Sequence, residues 1–174
     1  PQRYLTIAEL TIYSEQSPSP PQLPPSPPTS PPPAPLPPLQ SLAGLELTRR
    51  GAVISAPFHH KFYQAEWCID GSMGSICASK SEPNAWLSVR VDTGSAIGFV
   101  AIYNRRDSAA YQAWLSPFEV WVGAAAGDVS SGAVRCGGGE HSVPTGAGPF
   151  MISCGGAIGT WVTLRQVGPQ RYLT

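Results

Sequence analysis

The residues able to do chemistry are few, and their spacing argues for binding over catalysis. Three histidines are present. His59 and His60 are adjacent, and neighbours on a strand point to opposite faces, so they can neither chelate one ion together nor face each other in a triad. His141 stands alone in a glycine-rich stretch. No Gly-x-Ser-x-Gly, P-loop or Rossmann fingerprint occurs, and the carboxylates are few and unpaired in sequence, so a glycosidase would lack its two acids. The expectation is a protein that is not an enzyme. What remains is the cluster Arg105, Arg106 and Asp107. Its plain reading is an ion pair that holds a turn, while a planar guanidinium can also donate in a fork to hydroxyls or carboxylates.

The four cysteines, Cys68, Cys77, Cys136 and Cys154, form no CxxC pattern, which argues against zinc ribbon and thioredoxin-type sites. Cys136 and Cys154 bracket a glycine-rich, hairpin-like stretch with little core of its own, where a bridge would add about 3 kcal/mol in the chain-entropy model. Cys68 and Cys77 bracket IDGSMGSI in the same way. Four buried free thiols are the cytosolic alternative. Two disulfides in an extracellular protein are expected, given the proline-rich segment described next.

The elements that carry these residues divide the 174-residue chain sharply. Thirteen of its 20 prolines fall between Pro18 and Pro38: Pro18, Pro20, Pro21, Pro24, Pro25, Pro27, Pro28, Pro31, Pro32, Pro33, Pro35, Pro37 and Pro38. Fixed φ angles and missing donors favour polyproline II, a semi-rigid rod of roughly 65 Å over this stretch. Its Ser-Pro and Pro-Pro pairs resemble those of plant and green-algal hydroxyproline-rich glycoproteins, which implies hydroxylation and O-linked glycans on these prolines. PxxP spacing without a flanking basic residue makes an SH3-type ligand a poor fit.

After Leu45 the pattern changes to β-type runs separated by turn residues: Trp86 to Asp92, Ile97 to Asn104, Phe118 to Gly123 and Thr160 to Leu164. Val89 and Val91 alternate with Ser88 and Arg90, the period of a half-buried strand. No long 3.6-residue apolar period occurs, so an all-β sandwich is expected, with most of the five tryptophans in its core. Basic and acidic residues balance at 11 each, which excludes charge-driven binding to nucleic acid. No membrane contact by this segment is expected either, since no apolar run approaches the length of a bilayer span. The hexapeptide PQRYLT opens the sequence at Pro1 and recurs at Pro169–Thr174. The expectation is one period of a tandem array: 1–13 a strand closing the preceding repeat, 14–44 the rod, and 45–174 a sandwich whose final strand comes from the next repeat.

Several segments together resemble one family. AEWCIDG (65–71), WLSVRVDTG (86–94), IGFVAIYNRRD (97–107), FEVWVG, the Cys136/Cys154 pair before GTWVTL, and the strand YLTIAELTIY (4–13) resemble the discoidin-like, galactose-binding domains, the fucolectins above all. The resemblance implies a discoidin-like jelly-roll β-sandwich, here with an extended polyproline II segment. It also implies a carbohydrate site at Arg105 and Asp107, in a loop region that includes Tyr111 and Trp114, which could clamp a proline rod or a sugar. The family's second basic residue falls at Tyr111, and its histidine near Ser79. A calcium ion (Ca2+) is implied at Asp70 and the strand residue Glu9, although GSMGSIC is poorer in oxygen side chains than the family's loop.

Rods alternating with sandwiches also resemble green-algal cell-surface fibre glycoproteins of the ciliary mastigoneme kind. Two functions follow: a structural repeat unit of an extracellular filament at the cell or ciliary surface, or a multivalent fucose- or galactose-binding lectin module. Neighbouring repeats and other fibre glycoproteins would be the partners of the first, and a glycan ligand that of the second.

Overall fold

A computed structural model describes residues 4–15, 45–56 and 63–168. Pro18 through Pro38, His59, His60 and the second PQRYLT lie outside the described residues, as do the expectations attached to them. The described chain is all-β as expected. Its strands are β1 (Thr6–Ile7), β2 (Glu9–Ser14), β3 (Gly51–Ile54), β4 (Cys77–Ala78), β5 (Trp86–Tyr103), β6 (Phe118–Gly123), β7 (Val134–Arg135) and β8 (Phe150–Gln166), with one short α-helix, α1 (Ala109–Gln112), and two 3-10 turns, Ala65–Cys68 and Cys136–Gly138.

The sandwich is built on two long strands. β5 and β8 run antiparallel, and each is shared between two halves of a six-stranded sheet ordered β2-β5-β8-β6-β7, with β3 also on β5. The first half of β5 pairs with β3 and with residues 161–165 of β8, whose far side carries β6. Its second half pairs with β2 and with residues 150–157. The sequence reading made two strands of β5, split at the turn-like residues Asp92 to Ser95. The structure makes it one, because those residues form a register irregularity between Arg90 and Ser95 and do not reverse the chain.

The second change of register shows why two glycines were misleading. Between the pairs Ile97↔Ala157 and Phe99↔Ser153, Gly98 stands opposite Cys154, Gly155 and Gly156. Gly155 and Gly156 take φ of 60° and 76°, where a side chain is strained, and form a bulge. The stretch read as loop up to Cys154 therefore ends in the first half of β8. Gly98 has a different reason to be glycine: a Cβ there would lie 2.5 Å from the Ser14 carbonyl oxygen.

Alternation along the strands aims Leu87, Val89, Val120, Val122, Val162 and Leu164 into one core, which β1 and β2 complete with Ile7, Leu10 and Ile12. Each such side chain contributes about 1.5–3 kcal/mol when fully buried. The tryptophans are not part of it. Trp67, Trp86, Trp114, Trp121 and Trp161 are all half-buried, because branched aliphatics and Phe118 fill the core and leave the wider indoles at its rim.

Two disulfides are present, Cys68–Cys77 and Cys136–Cys154, with Cα separations of 5.4 and 4.3 Å. The first closes the 69–76 loop beside β1, since Cys77 pairs with Ile7. The strand that the sequence reading gave to a neighbouring unit is paired here within its own chain, Glu9 opposite Tyr103 through Tyr13 opposite Phe99. Residues on the two sides of the proline-rich segment also meet: Ser14 N–H donates to Leu45 O at 2.9 Å and Leu47 N–H to Ile12 O at 2.8 Å.

Candidate functional site

β5 ends at Tyr103, and the chain then turns through Asn104 and Arg105 into α1. Asn104 holds this turn from the inside. Its Oδ1 accepts Arg105 N–H at 2.9 Å and its Nδ2 donates to Gln112 O at 2.9 Å, while Gln112 Nε2 returns a bond to Arg105 O at 2.8 Å. The Arg105 guanidinium forks onto Asp107, with Nε to Oδ1 at 2.6 Å and Nη2 on Oδ2. That partnership pulls the Asp107 carboxyl below its usual range. The turn-holding ion pair therefore exists, and it leaves Nη1 outside the fork.

Arg105 also lines a cleft of about 270 Å³ with Tyr4, Thr6, Tyr63, Ala78, Tyr111 and Trp114. Tyr111 lies over the guanidinium, 4.5 Å from carbon to ring centroid. Trp114 stands between Tyr111 and Tyr4, with centroids 4.6 and 5.3 Å away. Gln166, at the end of β8, fixes two of these walls together, its Nε2 donating to Trp114 O at 2.6 Å and to Tyr4 O at 3.2 Å. Thr6 is the one described side chain whose buried hydroxyl lacks a partner. That oxygen is closed off from solvent, so the groups that face a ligand are four aromatic rings and one guanidinium, which suit a ligand with apolar faces and sparse polar groups.

The structure thus gathers Arg105, Asp107, Tyr111 and Trp114, and adds Tyr4, Thr6, Tyr63 and Gln166, which the sequence reading did not single out. Tyr4 and Thr6 belong to the recognised strand YLTIAELTIY, but nothing in the sequence says which rings meet across the fold; Tyr63 carries no pattern at all. Ser79, near which the resemblance would put a histidine, is fully buried, and its hydroxyl accepts Leu5 N–H at 3.1 Å and donates to Lys80 O at 2.7 Å. It is a structural residue here.

The residues offered to calcium do not fit that ion. Asp70 is exposed, and its own turn takes both oxygens, Oδ1 from Ser72 N–H at 2.8 Å and Oδ2 from the Ser75 hydroxyl at 2.6 Å. Glu9 is buried on β2, with Arg49 Nη1 on its Oε1 and Gly71 N–H on its Oε2 at 3.1 Å. Burial pushes its pKa up to about 7 although the Arg49 charge pulls the other way. Calcium wants six to eight oxygen ligands; a guanidinium and a backbone donor sit on this carboxylate instead. Among the described residues no three His, Cys, Asp or Glu side chains converge as a metal site.

The strands form a β-sandwich with a discoidin-like fold. The chain is similar to the crystal structure of an F-lectin (fucolectin) from the serum of striped bass, Morone saxatilis, with a TM-score of 0.59 and 23% identity, over 71% of this chain and 43% of that one. The likeness therefore spans less than half of the fucolectin's length. No family model matches the chain, and no curated protein matches it. The two disulfides fit an oxidising, extracellular compartment.

Proposed function

We propose that this chain is a carbohydrate-binding module whose ligand sits in the cleft between Tyr4, Tyr63, Tyr111 and Trp114. The observation that carries the reading is Arg105 in the wall of a cleft formed by four aromatic side chains, with one guanidinium nitrogen left outside its fork onto Asp107. A pyranose offers what such a cleft takes: a C–H face to lie on a ring, and hydroxyls for the remaining guanidinium nitrogen. Fucose and galactose are the sugars to expect, from the likeness to a fucolectin. With Ser79 and Tyr111 at two of the family's three polar sugar contacts, each site is weak, and useful affinity comes from several sites acting together. The test is a glycan array probed with wild type, Trp114→Ala and Arg105→Ala, with folding checked by circular dichroism. Binding by wild type that both substitutions abolish supports the reading; no binding to any glycan by a multivalent, folded preparation overturns it.

A second reading rests on the run Pro18 to Pro38 and the twice-occurring PQRYLT: a repeat unit of an extracellular, mastigoneme-like fibre with hydroxylated, O-glycosylated prolines. Mass spectrometry of the peptide from Ser17 to Gln40 of native material tests it, and an unmodified peptide sinks it.

A further inference from the structure

Glu9 and Asp70, which a metal would have to bridge, each have their oxygens taken by other groups of the chain, and on Glu9 one of these is a cation. Arg49 lies in the segment that returns to the sandwich after the proline-rich stretch, and its side chain is only 15% exposed over a Glu9 that is 2% exposed. Its Nη1 bonds Glu9 Oε1 and donates to Leu10 O at 3.0 Å, and its Nη2 meets Glu46 Oε1 at 3.0 Å. One planar guanidinium thus ties β2 to residues 45–50, which meet it at the isolated Tyr13–Glu46 bridge. The second Glu9 oxygen accepts Gly71 N–H at 3.1 Å, which ties β2 to the 69–76 loop.

We propose that Arg49 is a built-in cation standing where a sandwich of this kind would hold a metal, so that the junction of β2, residues 45–50 and the 69–76 loop forms without calcium. The geometry favours the guanidinium twice over. Its five N–H donors fork between carboxylates and a carbonyl, a set of acceptors that suits it well. A divalent ion brought to Glu9 would meet the Arg49 charge at contact distance, and would find Gly71 presenting a donor where a metal needs an acceptor.

The test is thermal unfolding of the full chain at about pH 8, where Glu9 is ionised, in excess chelator and in millimolar calcium. The expected result is one midpoint in both; a midpoint that rises with calcium overturns the proposal. A second measurement reads the clamp. Arg49→Met leaves a buried carboxylate without its counter-charge and should lower the midpoint by on the order of 10 °C. Adding Glu9→Gln to Arg49→Met removes the stranded charge and should recover at least half of that loss. An Arg49→Met protein as stable as wild type, or a double variant no more stable than the single one, refutes the clamp. If Arg49→Met does not fold at all, the folding of the double variant and the calcium response of wild type still decide the matter.

Discussion

Raising the pH through neutrality should weaken this fold, and Glu9 is the reason. Its pKa rises from 4.5 to about 7 in the folded chain because burial disfavours the carboxylate more than Arg49 and Gly71 restore it. A carboxyl whose folded pKa exceeds its unfolded value binds its proton more tightly in the native state. Its contribution to stability is therefore full below the unfolded pKa and is lost as pH climbs from there through the folded value. Between about pH 5 and about pH 8 the loss amounts to about 2 to 3 kcal/mol. The other carboxyls with shifted values, Asp92, Asp107 and Asp128, are all held low, so what they contribute disappears only as pH falls toward and below the ordinary aspartate range, outside this window.

Urea unfolding followed by tryptophan fluorescence, at intervals across the window, measures the slope directly. Histidines titrate in the same range, so the comparison is with Glu9→Gln, which keeps the shape of the side chain and an acceptor for Gly71 but cannot ionise. The expected outcome is a wild-type stability that falls by about 2 to 3 kcal/mol relative to Glu9→Gln as pH rises. Parallel profiles for the two proteins would refute the argument, and so would a wild type that gains stability relative to the variant.

Three further outcomes follow from the geometry. Replacing Cys136 and Cys154 together by serine should cost about 3 kcal/mol in urea unfolding, and replacing Cys68 and Cys77 somewhat less, because the first pair closes 18 residues and the second 9; the opposite order would argue against the loop-entropy account. Gly98→Ala should destabilise by about 1–3 kcal/mol, since its Cβ would fall 2.5 Å from Ser14 O, and a neutral effect in the same assay would show that β2 is not held there. Tyr13→Cys with Glu46→Cys should give a cross-link within one chain, because the two residues form an antiparallel bridge with Cα atoms about 4.5 Å apart; a cross-link found only between chains on non-reducing electrophoresis would contradict that pairing.

How far the sequence could be read depends on the range of the interaction. FEVWVG is a strand from its own alternation, and Val89 and Val91 are core residues for the same reason. The first half of β8 was hidden because Phe150–Gly159 is glycine-rich and lacks alternation; its pairing with β5 decides its conformation, and the two positive-φ glycines serve a bulge inside a strand. The tryptophans other than Trp114 were misplaced because residue type alone does not say whether an indole fits between aliphatic layers. In the site, Arg105 and Asp107 are two residues apart and their fork is local, so it was legible. Tyr63 and Arg49 were not, because each acquires its meaning from partners distant in the chain, Tyr63 from Tyr4 and Arg105 and Arg49 from Glu9.

The short N-terminal strand matters more than its length suggests. Tyr4 and Thr6 form part of the cleft wall, Ile7, Leu10 and Ile12 complete the core, and Glu9 anchors Arg49. Cleft, packing and charge clamp thus all depend on the same dozen residues, which precede the proline-rich stretch, whereas Arg105, Tyr111 and Trp114 follow it. If a neighbouring unit supplied this strand in a tandem array, every cleft would be a composite of two units, and so would every Arg49 clamp. A chain lacking residues 1–15 tests this shared dependence. Alone it should neither fold stably nor bind sugar, and a separate peptide of residues 1–15 should restore both together, because one strand carries both.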